Sequence, residues 1–225
     1  ILHFTPTETG LAMLPGGLAT MASALICGRL LSGREPLVDP RILIFLGVAL
    51  FAVSMWKMGH LTTGAGEGDV RAALIVRGFG LGLLFVPINN AAYGSLEPSE
   101  AQQAAGLINL SRQLGGSFGI ALLVNYVTKH TQYHRADLVQ NIVTGSTLTD
   151  TRVQQLTAGF LARGFALVDA KMAALTALNG QVMQQASMLS FNDAWLFILI
   201  AFLGVSPAIL FLRKPKGSPA PVDAH

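Results

Sequence analysis

Charge is scarce in this chain of 225 residues: Asp, Glu, Lys and Arg make up 12% of it, about half of what a soluble domain carries. Apolar residues account for 52% and the mean hydropathy is +0.53, which excludes a disordered chain and disfavours a water-soluble one. Cysteine is almost absent. A lone Cys27 makes no internal disulfide, and without a CxxC pair or a Cys/His framework neither a stapled secreted fold nor a structural zinc domain is available. The net charge of +3 is scattered, with no dense Lys/Arg stripe interleaved with aromatics, which argues against nucleic acid as a partner. The chain opens Ile1-Leu2-His3-Phe4 without a Met or a basic segment ahead of an apolar stretch. The expectation is a fragment of a longer protein rather than one with a signal peptide.

What is present is apolar helix. A hydrocarbon core of about 30 Å needs about 20 helical residues, and the charge-free run from Thr9 to Gly28 meets that length. Spans of this kind are read at Leu11 to Leu31, Ile42 to Leu61, Ala72 to Leu96 with Arg77 inside, Ala104 to Val127 with Arg112 inside, and Trp195 to Leu212. The fold class predicted is therefore all-α, a polytopic membrane bundle of five transmembrane helices. Residues 1–127 hold four of them with short loops, 128–193 an amphipathic helical loop, 194–213 the last, and 214–225 a disordered tail.

The short loops differ in charge. Arg29, Arg34, Arg41, Arg112, Arg213, Lys214 and Lys216 fall on one side and Lys57, Arg71 and Arg77 on the other. The positive-inside rule puts the first set, with the C-terminal tail, in the cytoplasm. The long loop is then outside, in the periplasm. In it, Thr149 and Asp150 offer an N-cap, and Val168, Met172, Leu175, Val182 and Leu189 recur at helical spacing with polar residues between. Such a helix packs on the bundle, lies in the headgroups, or docks a periplasmic partner; amphipathicity alone does not choose.

Spans two and five are apolar around their whole circumference and belong against lipid. Spans three and four carry polar groups, which are costly at depth unless they face protein or a watery cavity. Asn89, Asn90, Asn109 and Gln113 are therefore candidates for a substrate cavity, with interhelical hydrogen bonding the other reading. Pro87 removes a backbone bond beside Asn89 and Asn90 and permits a kink. Gly78 with Gly82, and Ser111 with Gly115 and Gly119, repeat every four residues, a spacing that strips one helix face for close packing. Arg77 and Arg112 either snorkel or mark a pathway. No Asp or Glu lies within the spans proper, and Asp193 reads as the N-cap of the last helix. His130 and His134 sit at i and i+4 as metal ligands on a helix do, but the sequence supplies no third ligand beside them, so no metal site is assigned. Neither a nucleotide fingerprint nor a nucleophile elbow appears, and no enzyme is expected.

Several segments taken in order resemble a known family: Thr9-Gly-Leu-Ala-Met-Leu-Pro-Gly-Gly, Gly28-Arg-Leu-Leu, Asp39-Pro-Arg, Arg77-Gly-Phe-Gly-Leu-Gly-Leu-Leu-Phe-Val-Pro-Ile-Asn, Ser111-Arg-Gln-Leu-Gly-Gly-Ser-Phe-Gly-Ile-Ala and Phe191-Asn-Asp. Together they are similar to the fourteen-helix EmrB/QacA-type drug:proton antiporters of the major facilitator superfamily. Gln132, His134 and Leu138 point to the EmrB-like branch. The resemblance implies that the spans are the last five helices of a transporter, part of its C-terminal bundle, with one, three and four bordering the central cavity and two and five peripheral. Gly28 and Arg29 then look like a degenerate copy of the motif that hinges the cytoplasmic gate, with Ser32 where the family often has Asp. Arg77 and Arg112 become gating or coupling candidates. The implied function is proton-driven export of amphipathic toxic compounds across the bacterial inner membrane, without a cofactor and with the proton motive force as energy source. The implied partners are lipid, small amphipathic substrates, a periplasmic membrane-fusion adaptor and an outer-membrane channel. A metabolite or nutrient carrier and a non-transporting sensor or anchor are the alternatives.

Overall fold

The computed structural model describes residues 5–32, 37–62, 64–93, 98–140, 142 and 146–207. Its elements are α1 (Pro6–Leu31), α2 (Pro40–Met58), α3 (Glu67–Tyr93), α4 (Pro98–Gln140), α5 (Thr147–Leu161) and α6 (Leu167–Val205), and among the described residues there is no strand. All but α5 are long and apolar enough to cross a membrane, so the all-α, five-span fold class holds.

Local chemistry explains where these helices begin. Thr5 and Glu8 form a capping box around Pro6, the Thr5 hydroxyl accepting from the Glu8 amide and Glu8 Oε2 accepting from the Thr5 amide at 2.8 Å. Asp39 caps α2 by accepting from the Arg41 amide at 3.0 Å, with Pro40 following it. Pro15 and Pro87 both lie inside continuous helices, as membrane helices tolerate.

The chain divides into two compact units, residues 3–120 with the end of α6, and residues 121–194. In the first, α3 packs against both α1 and α2. Ile44, Val48 and Leu84 form one buried cluster with Phe202 against it, and Met58, Ala73 and Leu74 form another that receives Trp195. Phe51 and Phe202 have ring centroids 4.3 Å apart. The second and fifth spans are thus packed together on one side, while Ile42, Phe45 and Leu46 of α2 remain exposed, an apolar surface suited to lipid.

The second unit corrects two expectations. First, the last membrane helix does not start near Trp195: α6 is a single helix of 39 residues from Leu167. Asp193 is therefore in a helix interior and is not an N-cap, since its own amide has already been enclosed by the preceding turns. Second, the N-cap position of α5 is Ser146, whose side chain makes no capping bond, and Thr149 and Asp150 lie in the first turn, where the acid of Asp150 still favours the helix dipole. The buried stripe of α6 is Ala170, Ala174, Val182, Ala186, Ser190 and Ala194, and of the apolar residues at helical spacing Val182 lies in it while Val168, Met172 and Leu175 are more than half exposed. Small side chains at four-residue spacing let helix axes approach, and bulky ones are turned out of the seam.

Polar ties reinforce this unit. Arg135 Nη2 donates to Asn179 Oδ1 at 3.1 Å, and Arg152 Nη2 to Gln181 Oε1 at 3.3 Å, joining α4 and α5 to α6. The turn between α5 and α6 uses Gly164 at φ 89°, a backbone region costly for any residue with a Cβ. Arg34, the stretch from Ala208 through Leu212, and the tail with Arg213, Lys214 and Lys216 lie outside the described residues.

Candidate transport site

Glycine positions the inner helices. A Cβ added at Gly78 would collide with the Gly16 carbonyl oxygen, and one at Gly82 with Ser23 Oγ. Added at Gly16, it would lie 2.9 Å from the Leu74 carbonyl oxygen. Hence α1 and α3 touch backbone to backbone. The hydroxyls in this seam are satisfied within α1, Thr20 donating to the Gly16 carbonyl and Ser23 to the Thr20 carbonyl. A parallel approach joins α2 to α3 at Gly47 and Gly80, where a Cβ on Gly80 would meet the Gly47 carbonyl oxygen at 2.9 Å. Beside it, buried Ser54 donates to the Ala73 carbonyl at 2.7 Å. Gly16, Gly47 and Ser54 carried no expectation from sequence, because their partners lie on other helices.

The second glycine stripe behaves differently. Among the described residues nothing approaches within 4 Å of a Cβ built at Gly115 or Gly119, and none of the apolar window of α4 is buried. On the same helix Asn109 and Gln113 are exposed, as is Asn90 on α3. Arg112, about four turns along α4, reaches across to α3: its Nη2 donates to Asn89 Oδ1 at 3.2 Å, and its guanidinium lies 5.4 Å from the centre of the Phe85 ring. Asn89 in turn donates through Nδ2 to the Phe85 carbonyl at 2.6 Å. The amide is thus oriented with its oxygen toward the cation. Asn89 and Arg112 are the two sequence candidates that the fold brings together; Asn90, Asn109 and Gln113 sit on exposed helix surface.

Arg77 is half-buried on α3, one residue before the Gly78 contact, and has no hydrogen-bond partner among the described residues. Gly28 has open space around it and Arg29 is exposed in the last turn of α1, where a cation suits the helix dipole. Ser32, the residue standing where the family motif often has Asp, turns its hydroxyl back to the Gly28 carbonyl at 2.6 Å and so closes the helix end locally.

A different cluster is assembled in the second unit. Asp193 Oδ2 lies 3.1 Å from His130 Nδ1 and 2.6 Å from His134 Nε2. The third ligand-type group missing from the sequence neighbourhood of the two histidines is thereby supplied from α6. Spacing could pair the histidines, but only the uninterrupted course of α6 brings in an acid about 60 positions away.

Long apolar helices, backbone-close glycine seams and a polar cation bridge between two of the helices together describe a bundle of helices suited to a membrane. A model of the Major Facilitator Superfamily matches residues 1–120, more than half of the chain, which belongs to that superfamily. It is similar to the colistin resistance protein EmrB of Acinetobacter baumannii, 26% identical over 80% of this chain and 35% of that protein. It is likewise similar to the multidrug export protein EmrB of Haemophilus influenzae, 25% identical over 97% and 41%, and to the puromycin resistance protein pur8 of Streptomyces alboniger, 34% identical over 61% and 27%. The chain spans about a quarter to two fifths of the length of these relatives. Family membership makes it a multi-pass membrane protein of transporter type.

Proposed function

We propose that this chain forms part of the C-terminal bundle of a proton-coupled exporter that removes amphipathic toxic compounds across the bacterial inner membrane by alternating access of two helix bundles. Its resemblance to EmrB proteins supports the substrate class. The observation that carries the reading is the Arg112–Asn89 bridge on the unburied, polar face of α4. An intramembrane cation bonded to a neutral amide, with no carboxylate beside it among the described residues, keeps its charge available to whatever enters the adjoining cavity. The unburied face of α4 is the surface against which the remaining helices of the carrier pack or the cavity opens. The acid that picks up the proton belongs to the rest of the carrier, since the spans contain no Asp or Glu. The C-terminus is cytoplasmic and the α5 region periplasmic, where it faces a membrane-fusion adaptor and, through it, an outer-membrane channel.

Efflux of ethidium by the complete carrier tests this. Arg112→Ala is expected to reduce proton-driven efflux to background at normal membrane level, and Arg112→Lys to restore it in part, because lysine keeps the charge and loses the planar fork of donors. Full efflux by Arg112→Ala would remove the bridge from the transport mechanism.

A further inference from the structure

The cluster of His130, His134 and Asp193 has no part in the export reading. The histidines stand one turn apart on α4, just beyond the apolar stretch that ends near Val127, and Asp193 stands on α6 just before its apolar stretch begins. The site therefore sits at a membrane boundary, and its side chains are 36%, 21% and 33% exposed respectively, so water and dissolved ions reach it. The three ligand atoms all lie within 4.8 Å of one another.

We infer that His130 Nδ1, His134 Nε2 and an Asp193 carboxylate oxygen form a binding site for a first-row divalent cation of the zinc class. The donor set is imidazole and carboxylate, which suits zinc, cobalt and nickel rather than calcium or magnesium. Bonds of about 2.0 to 2.1 Å in a tetrahedral shell place neighbouring ligand atoms about 3.3 Å apart. The spacings of 3.1 and 2.6 Å found here need the carboxylate to retreat by less than about 1 Å, and the two ring nitrogens, which lie within 4.8 Å of each other, need to close by no more than about 1.5 Å. Three protein ligands leave a fourth position, on the exposed side, for water.

The surroundings hold the rings in place. The Tyr126 ring stacks on His130 with centroids 3.9 Å apart, and Tyr133 meets His134 edge-on at 6.1 Å. These contacts fix the imidazole planes before any ion arrives, which lowers the ordering cost of binding. Without an ion, Oδ2 of Asp193 accepts hydrogen bonds from both rings. On binding, each coordinating nitrogen presents its lone pair and carries its proton on the far ring nitrogen instead; a histidine that was cationic releases one proton to water. The ion then ties α4 to α6 more tightly than the hydrogen bonds it replaces.

Cobalt(II) titration of the chain, purified without a histidine tag in mild detergent at slightly alkaline pH, reads the site directly. The expected result is one ion per chain with the visible absorption of four- or five-coordinate cobalt, displaced by zinc. His130→Ala, His134→Ala and Asp193→Ala should each weaken binding more than about tenfold, the loss that even outer-shell changes commonly produce, whereas His60→Ala leaves it unchanged. In the unmutated chain, zinc should also protect His130 and His134, but not His60, from diethylpyrocarbonate, a readout that needs no variant to fold. Absence of the cobalt band, undiminished affinity in Asp193→Ala, or equal modification of the three histidines with and without zinc would each overturn the site.

Discussion

Two glycine stripes with the same spacing meet opposite fates in this molecule. Gly78 and Gly82 on α3 are pressed against Gly16, Thr20 and Ser23 of α1, while Gly115 and Gly119 on α4 have no heavy atom near enough to touch a Cβ. The difference shows what a small-xxx-small pattern means. It removes the obstacle to close approach without naming the helix that approaches, and in lipid the gain comes only when a partner fills the groove. The α1–α3 seam is already complete within the chain; the α4 stripe is a surface still without a partner among the described residues.

The largest expected effect breaks that contrast directly. Gly78→Leu should force α1 from α3 and cost about 3 kcal/mol or more, at the upper end for overpacking, seen as loss of the monodisperse species in detergent. Gly115→Leu should alter the stability of the same chain by no more than about 0.5 kcal/mol, as for open surface positions. A comparable collapse of both variants would show that α4 is packed in the isolated chain.

A smaller effect sharpens it. Gly82→Ala places a methyl group against Ser23 Oγ and should cost about 1 to 3 kcal/mol. Adding Ser23→Gly should recover part of the loss, the non-additivity expected of two residues in contact. Thermal denaturation of the two single variants and the double variant measures the coupling, and strict additivity would place the strain elsewhere.

The smallest effect separates glycine packing from polar bonding. Ser54→Ala deletes the buried hydroxyl bond to the Ala73 carbonyl between α2 and α3, and the expected loss is about 0.6 kcal/mol, the average for interhelical hydrogen bonds measured in membranes. A loss above about 2 kcal/mol would make hydrogen bonding, rather than close backbone contact, the main adhesive of this seam.

Much of the fold was legible in local pattern. Helix existence followed from apolar length, whereas the starts of α1 and α2 lie ahead of the apolar spans that begin at Leu11 and Ile42, at the caps formed by Thr5 with Glu8 and by Asp39, because hydropathy marks apolar length and not the polar residues that cap a helix. Arg112 and Asn89 were both legible as polar groups at depth. Their mutual bond was not, since it depends on the relative rotation of α3 and α4. The α6 reading failed for a related reason: hydropathy marks where a membrane begins, and the change of polarity near Trp195 was taken for a helix start although the backbone continues through it.

The sequence by itself determined a charge-poor, all-α membrane chain, its superfamily and its few intramembrane cations, because apolar length, capping and the cost of burying charge act along the chain over short distances. Tertiary structure alone decided which glycines became a seam, which face of α6 was buried and whether Asp193 began a helix or met two histidines. Those outcomes depend on helix rotation and on contacts between positions far apart in sequence, and a residue's identity specifies the chemistry it brings without specifying its neighbour.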